Sequence, residues 1–231
     1  MFELLQIGDT ATQIIKHVPG DRNGDGYIGF GELLVTGGWI MIPLAIMLLV
    51  AVYVFAERTM AIRHAAKIDD NFMNIIRDNI VSGNIVAAKN FAKNSNHPVG
   101  RIIDKGIQRI GKPIDNIEKS MDNVAVLEMY KMEKNLGFLS IIAKAAPIFG
   151  FVGTLLGMMQ LFSGITTSAE FTPSTIAGGI YTKIITSITG LLIGLGAYLA
   201  YSYLNTQIEK TANKMEAAES DFLDILQEPT R

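Results

Sequence analysis

The chain has no cysteine, which excludes disulfides and thiolate metal sites. It has little excess of either charge. Its 20 lysines and arginines stand against 22 aspartates and glutamates, a net charge of −2, so the basic surface that nucleic acid binding requires is missing. It also lacks the marks of a removable leader. Residues 1–31 have no basic start, no short apolar core and no small-residue cleavage site, so the first apolar run is expected to stay as an anchor. Charge is absent altogether from three runs of about 24 residues each, 33–56, 145–169 and 184–208. Each is long enough to cross a bilayer core, and together they predict an all-α integral membrane protein with three transmembrane helices and long cytoplasmic helical extensions.

Positive charge sets the expected direction of the spans. Arg58, Arg63 and Lys67 crowd the end of the first run, while Thr166 to Thr175, between the second and third, carries only Glu170. The amino terminus is therefore expected outside and the carboxyl terminus inside. The resulting division is an outer segment at 1–36, spans at 37–58, 136–166 and 176–204, a cytoplasmic helical region at 59–135, an outer loop at 167–175 and a cytoplasmic helix at 205–231.

The second and third spans carry more than an anchor needs. Lipid gives helices no hydrophobic reason to associate, so contact depends on small residues and on polar groups that bond across. Gly153 and Gly157 form one small-residue face, near Pro147; Thr186, Gly190 and Gly194 form another. Thr154 and Ser187 lie beside these faces, and Thr182 and Thr189 add to the hydroxyl cluster. Hydroxyls in hydrocarbon need partners, which are other helices, water in a pore or the carbonyls of their own helix. Lys183 enters the third helix as a lone cation. It either snorkels to the outer headgroups or faces a lumen or subunit contact, where it would pair with an acid.

Residues 4–18 have an amphipathic pattern that ends at Pro19 and Gly20. Asp21 to Glu32, DRNGDGYIGFGE, then fits the twelve-residue EF-hand calcium loop. Asp21, Asn23 and Asp25 would supply side-chain oxygens, Tyr27 a backbone carbonyl and Glu32 a bidentate carboxylate, with Gly26 at the sharp turn. Gly29 would leave its place to water. The alternative is a solvated Asp/Gly turn. A single hand of this kind suits weak, structural calcium outside the cell.

Beyond the first span, closed by Glu57-Arg58, residues 66–112 read as short amphipathic helices broken at Ser82-Gly83 and His97-Pro98. His97 has no second ligand spaced to join it and reads as a turn residue. From Ile114 to Lys144 the helical period continues, which predicts one helix running unbroken into the second span. Asn205 to Leu226 repeats the pattern, so the two extensions are expected to pair.

These residues resemble the ExbB/TolQ/MotA family of ion-driven inner-membrane motor proteins, and within it most closely the ExbB branch. The resemblance rests on Pro147 followed by Gly153-Thr154-Leu155-Leu156-Gly157, on Gly179-Ile180 through Ser187 to Gly190-Leu191, and on Glu57-Arg58; it spans about residues 37–228. It implies a bacterial inner-membrane protein that is not an enzyme but one subunit of a pentameric ring. It also implies a dimer of an ExbD-like single-span protein with a membrane aspartate in the pore, protons as the coupling ion, and a TonB-like protein that receives the motion. Thr154 and Ser187 would take the places of the pore-lining hydroxyls, and Ser187 stands where a threonine is usual. No span holds an interior Asp, Glu or His, so this chain cannot be a whole proton path. A TolQ-type, gliding or stator motor, or a sodium-driven one, is the alternative within the family. A calcium-responsive membrane scaffold is the alternative outside it.

Overall fold

The computed structural model describes residues 38–66, 69, 71–167 and 173–227, apart from the side chains of 165–167, 173–175 and 182. The residues of the expected calcium loop, Asp21, Asn23, Asp25, Tyr27 and Glu32, lie outside the described residues. So do the stretch 4–18, most of the 167–175 connection and the side chain of Thr182.

Every regular element among the described residues is an α-helix. In chain order they are α1 (Met41–Ala66), α2 (Phe72–Val81), α3 (Ile85–Asn94), α4 (Pro98–Ile107), α5 (Ile114–Glu133), α6 (Leu136–Thr167) and α7 (Pro173–Gln227). Three are long and apolar enough to cross a membrane: α1, α6 over Leu136–Gly164, and α7 from Ile176 onward. The chain is an all-α integral membrane protein. Its third span continues without a break into the charged stretch after Asn205, because no proline or glycine interrupts α7 there.

The residues fall into two compact units. The first holds the described residues within 38–52 and 138–199, hence the early part of α1, most of α6 and the apolar part of α7. Met41, Leu44, Leu139, Ala146 and Ile185 form its interior. Its outer faces are apolar as well: Leu49, Met159 and Leu192 are 70%, 65% and 64% exposed. A helix that is hydrophobic all round belongs in lipid or against other membrane helices.

The second unit holds the described residues within 53–137 and 200–227. Its short helices start and stop on local signals. Gly83, at φ +77°, turns the chain after α2, and Asn84 caps α3 by accepting from the Ala87 amide. Pro98 opens α4 at a position where a missing amide costs nothing, and His97 caps it. On α4, Val99, Ile102, Ile103, Gly106 and Ile107 are buried, the spacing of one helical face. A Cβ on Gly106 would fall 2.5 Å from the Phe222 ring and 2.6 Å from Met121 Sδ, so α4, α5 and the end of α7 meet there. The two extensions do pair, as their matching patterns predict.

The expected unbroken helix from Ile114 into the second span is not what forms. α5 ends at Glu133 and α6 begins at Leu136. Between them Lys134 is extended and Asn135 adopts φ +64°, a left-handed conformation that asparagine tolerates better than most residues. Contacts from α1 hold the break. Arg58 donates to the Lys131 carbonyl at 3.2 Å, in the last turn of α5, and pairs with Glu57. Asn135 Nδ2 donates to Glu57 Oε2 at 3.4 Å. The apolar period carries on through these residues, so the interruption has a tertiary cause.

Candidate functional site: the α6–α7 seam

Small residues let the backbones of α6 and α7 touch within the first unit. A Cβ on Gly190 would lie 2.6 Å from the Ala146 carbonyl oxygen and 2.8 Å from Gly150 Cα. A Cβ on Gly150 would meet Gly190 Cα and the carbonyls of Thr186 and Ser187, each at 3.1 Å. Neither position has room for a side chain, because backbone atoms cannot give way as side-chain ends do. Gly194 packs on the Pro147 ring in the same way, and a Cβ there would lie 2.6 Å from it. That Cβ would also lie 3.0 Å from the Ala143 oxygen, the carbonyl that loses its helical donor to the proline.

The other packing residues follow along the same line. Gly153 faces the Thr186 methyl and Ile40 of the segment entering α1, which would lie 2.8 and 3.0 Å from a Cβ there. Gly157 lies under the alkyl stem of Lys183, whose Cε and Cγ would be 2.5 and 2.6 Å from a Cβ there. The two small-residue faces of the sequence thus oppose each other. Gly150 carries the closest approach and was not among the expected packing residues. Its signal is its place one turn before Gly153-Thr154, on the stripe that continues to Gly157.

The hydroxyls have different fates. Thr154 Oγ1 shares its proton between the Gly150 carbonyl of its own helix, at 3.1 Å, and the Lys183 carbonyl across the seam, at 3.3 Å. Thr189 is buried and bonds back to the Ile185 carbonyl at 2.9 Å. Thr186 is buried at the contact with Gly153, while Ser187 is half-buried one turn from Lys183. Thr154 and Ser187 therefore stand within about one turn of each other on facing helices. Chemically this seam can hydrogen-bond and orient a water or a carboxyl group. Apart from Lys183 it has no group that changes charge, so it cannot by itself carry a proton through hydrocarbon.

Comparison with known proteins matches residues 94–217, more than half of the chain, to the MotA/TolQ/ExbB proton channel family. The chain belongs to that family. The stretch that carries the family's pattern takes in α4, α5, α6 and most of α7, hence both sides of the seam. Among relatives, the MotA/TolQ/ExbB chain is 26% identical over 189 residues to a protein of Methanothermobacter thermautotrophicus named as a biopolymer transport ExbB homolog, covering 80% of this chain and 66% of that one. It is 27% identical over 113 residues to the Tol-Pal system protein TolQ of Pseudomonas aeruginosa, covering 49% of each chain. It is 29% identical over 90 residues to the biopolymer transport protein exbB1 of Vibrio cholerae, covering 38% of this chain and 40% of that one. The matches span two thirds or less of each of these relatives. The family is one of channels and transport, not an enzyme class, and its multi-pass membrane character agrees with the three spans.

Proposed function

We propose that this MotA/TolQ/ExbB chain is the ring-forming subunit of a proton-motive-force-driven motor in a bacterial inner membrane. With a single-span, ExbD-like partner it energises TonB-dependent import through the outer membrane. The observation that carries this reading is the α6–α7 seam, where Thr154 bonds across to α7 beside Ser187 while all three spans lack an acid. Such a site is half of a proton path. A carboxylate from a partner helix supplies the group that takes and releases the proton, and the two hydroxyls position it or its water. A ring of five copies around a partner dimer, with the amino terminus in the periplasm and the carboxyl terminus in the cytoplasm, is the assembly this reading entails.

The test is the native mass of the detergent-purified complex expressed with its neighbouring genes, followed by Thr154→Val. Five copies with two of a single-span protein, and energised transport that falls in the variant while assembly persists, support the motor. A partnerless assembly, or unchanged transport in Thr154→Val, counts against it. Client identity separates the ExbB-type reading from a TolQ-type one, and flux in sodium against sodium-free medium separates the coupling ions.

A second role attaches to the sequence DRNGDGYIGFGE: Asp21, Asn23, Asp25, Tyr27 and Glu32 bind one calcium ion that fixes the segment ahead of the first span. The spacing of five ligands around Gly26 is the support for it. Calorimetric titration of the full chain should give a calcium heat that Asp21→Ala removes, and no heat at millimolar calcium would dismiss the site.

A further inference from the structure

Lys183 is the one charged residue in the apolar part of α7, and its place at the seam can be fixed by counting along both helices. Gly150 faces Gly190 across the closest approach. Seven residues from Gly150 toward Thr167 is Gly157, and seven residues from Gly190 toward Pro173 is Lys183. Antiparallel helices of equal rise stay level over equal steps, so Gly157 and Lys183 stand at one height, about 10 Å from the Gly150–Gly190 contact. The Lys183 Cγ and Cε lie over Gly157, 2.6 and 2.5 Å from where its Cβ would be. The stem is therefore laid sideways across the seam.

That direction matters. A lysine that reaches for lipid headgroups climbs along its own helix, toward the N-terminal end to which helical side chains already lean. Lys183 spends its length crossing to α6. The crossing lies ten residues from the facing ends of both helices, Thr167 of α6 and Pro173 of α7, about 15 Å along each. An ammonium at that depth is costly unless an opposite charge meets it. The chain's apolar runs at 33–56, 145–169 and 184–208 hold no Asp or Glu, and no salt bridge to Lys183 forms among the described residues.

We propose that Lys183, laid across Gly157 at the α6–α7 seam, is the ion-pairing residue for a carboxylate on a transmembrane helix of the partner protein. The inference rests on the motor reading and deepens it by naming the residue that receives the partner. Gly157 is part of the device, because any side chain there displaces the stem. Thr154 is part of it as well, because its hydroxyl holds the Lys183 carbonyl. Pairing also resolves an electrostatic conflict, since an unpaired cation beside a proton path would repel the proton.

The experiment uses the full chain co-expressed with its single-span partner, purified in mild detergent and reconstituted into vesicles. Retained partner and voltage-driven proton flux are read for Lys183→Met, Lys183→Arg and Thr154→Val, with helical content by circular dichroism confirming that each variant folds. Lys183→Met should lose partner about thirtyfold or more, the scale of a truncated buried charge pair, while Lys183→Arg keeps most of it. Lys183→Glu should lose partner too, and regain it when the partner's membrane carboxylate is changed to lysine. Native retention and flux in Lys183→Met, or no recovery on charge exchange, overturns the inference and leaves the ammonium to a lipid phosphate. In that case a flux defect in Thr154→Val keeps the motor reading standing. If the native chain brings down no acid-bearing single-span protein, both fall together.

Discussion

Glu219 stands on α7 in the second unit with 8% of its surface exposed, and its Oε1 has no hydrogen-bond partner among the described residues. Burial raises its pKa from the usual 4.5 to about 7, and Asp122 and Glu118 of α5 and Glu216 of α7 push it the same way. With the folded value above the unfolded one, its contribution to stability is full below pH 4.5 and is lost as pH rises toward 7. Glu219→Gln should therefore raise stability at pH 8 by about 1–2 kcal/mol and leave it unchanged at pH 4, measured by thermal unfolding of the solubilised chain. His97 slopes the other way. Its Nδ1 accepts from the Gly100 amide at 3.1 Å and its ring meets Phe72 edge-on, while burial, followed by the charge of Arg101, lowers its pKa below 6.5. Its contribution is present above pH 6.5 and is lost as pH falls through the lowered value, because protonation takes away the capping lone pair. His97→Asn should keep a cap and flatten the acid limb; His97→Ala should cost about 1 kcal/mol at pH 8. His97 was legible as a break before proline, but its capping bond depends on burial against Phe72, which spacing along the chain does not show.

At the scale of elements, the parts that could be read were those set by periodicity and punctuation. The three apolar runs and the breaks at Gly83 and Pro98 are local properties, and the helices formed where they predict. The break at Lys134-Asn135 was hidden because apolar residues keep their helical spacing on both sides of it and no proline marks it. Glu57 and Arg58, more than seventy residues earlier, hold it from α1. Asn135→Val should destabilise the chain by about 1–2 kcal/mol, since a β-branched residue resists positive φ, whereas Asn135→Gly should be close to neutral by the same unfolding measurement. The seam was half legible. The glycine spacing showed that α6 and α7 carry packing faces, but which glycines touch depends on the register of one helix against the other. Gly150 and Gly190 meet backbone to backbone, so Gly190→Val should separate the helices and cost about 1–3 kcal/mol, with loss of helix pairing visible as a less compact species in detergent.

For the whole molecule, the decisive feature is what three spans and one seam can and cannot do alone. The family pattern in α6 and α7 was readable because it lies in short runs of glycine, threonine and proline whose spacing geometry constrains. The proposed partner entered by resemblance alone, because a carboxylate on another chain marks this one only indirectly: Thr154 bonding across the seam, a lysine laid over Gly157 and no Asp or Glu in the apolar runs. A proton crossing hydrocarbon needs a side chain that takes it up and releases it, and Thr154, Ser187, Thr186 and Thr189 cannot serve at any physiological pH. Lys183 adds a barrier to cations when nothing pairs with it. Vesicles holding the purified chain alone should therefore pass protons no faster than empty vesicles under a membrane potential, by a pH-sensitive dye trapped inside. Adding the single-span partner should open the flux, and changing its membrane carboxylate to the amide should close it again. Fast flux through the chain alone would mean that water threads the seam without a carboxylate, and the division of labour between two proteins would be wrong.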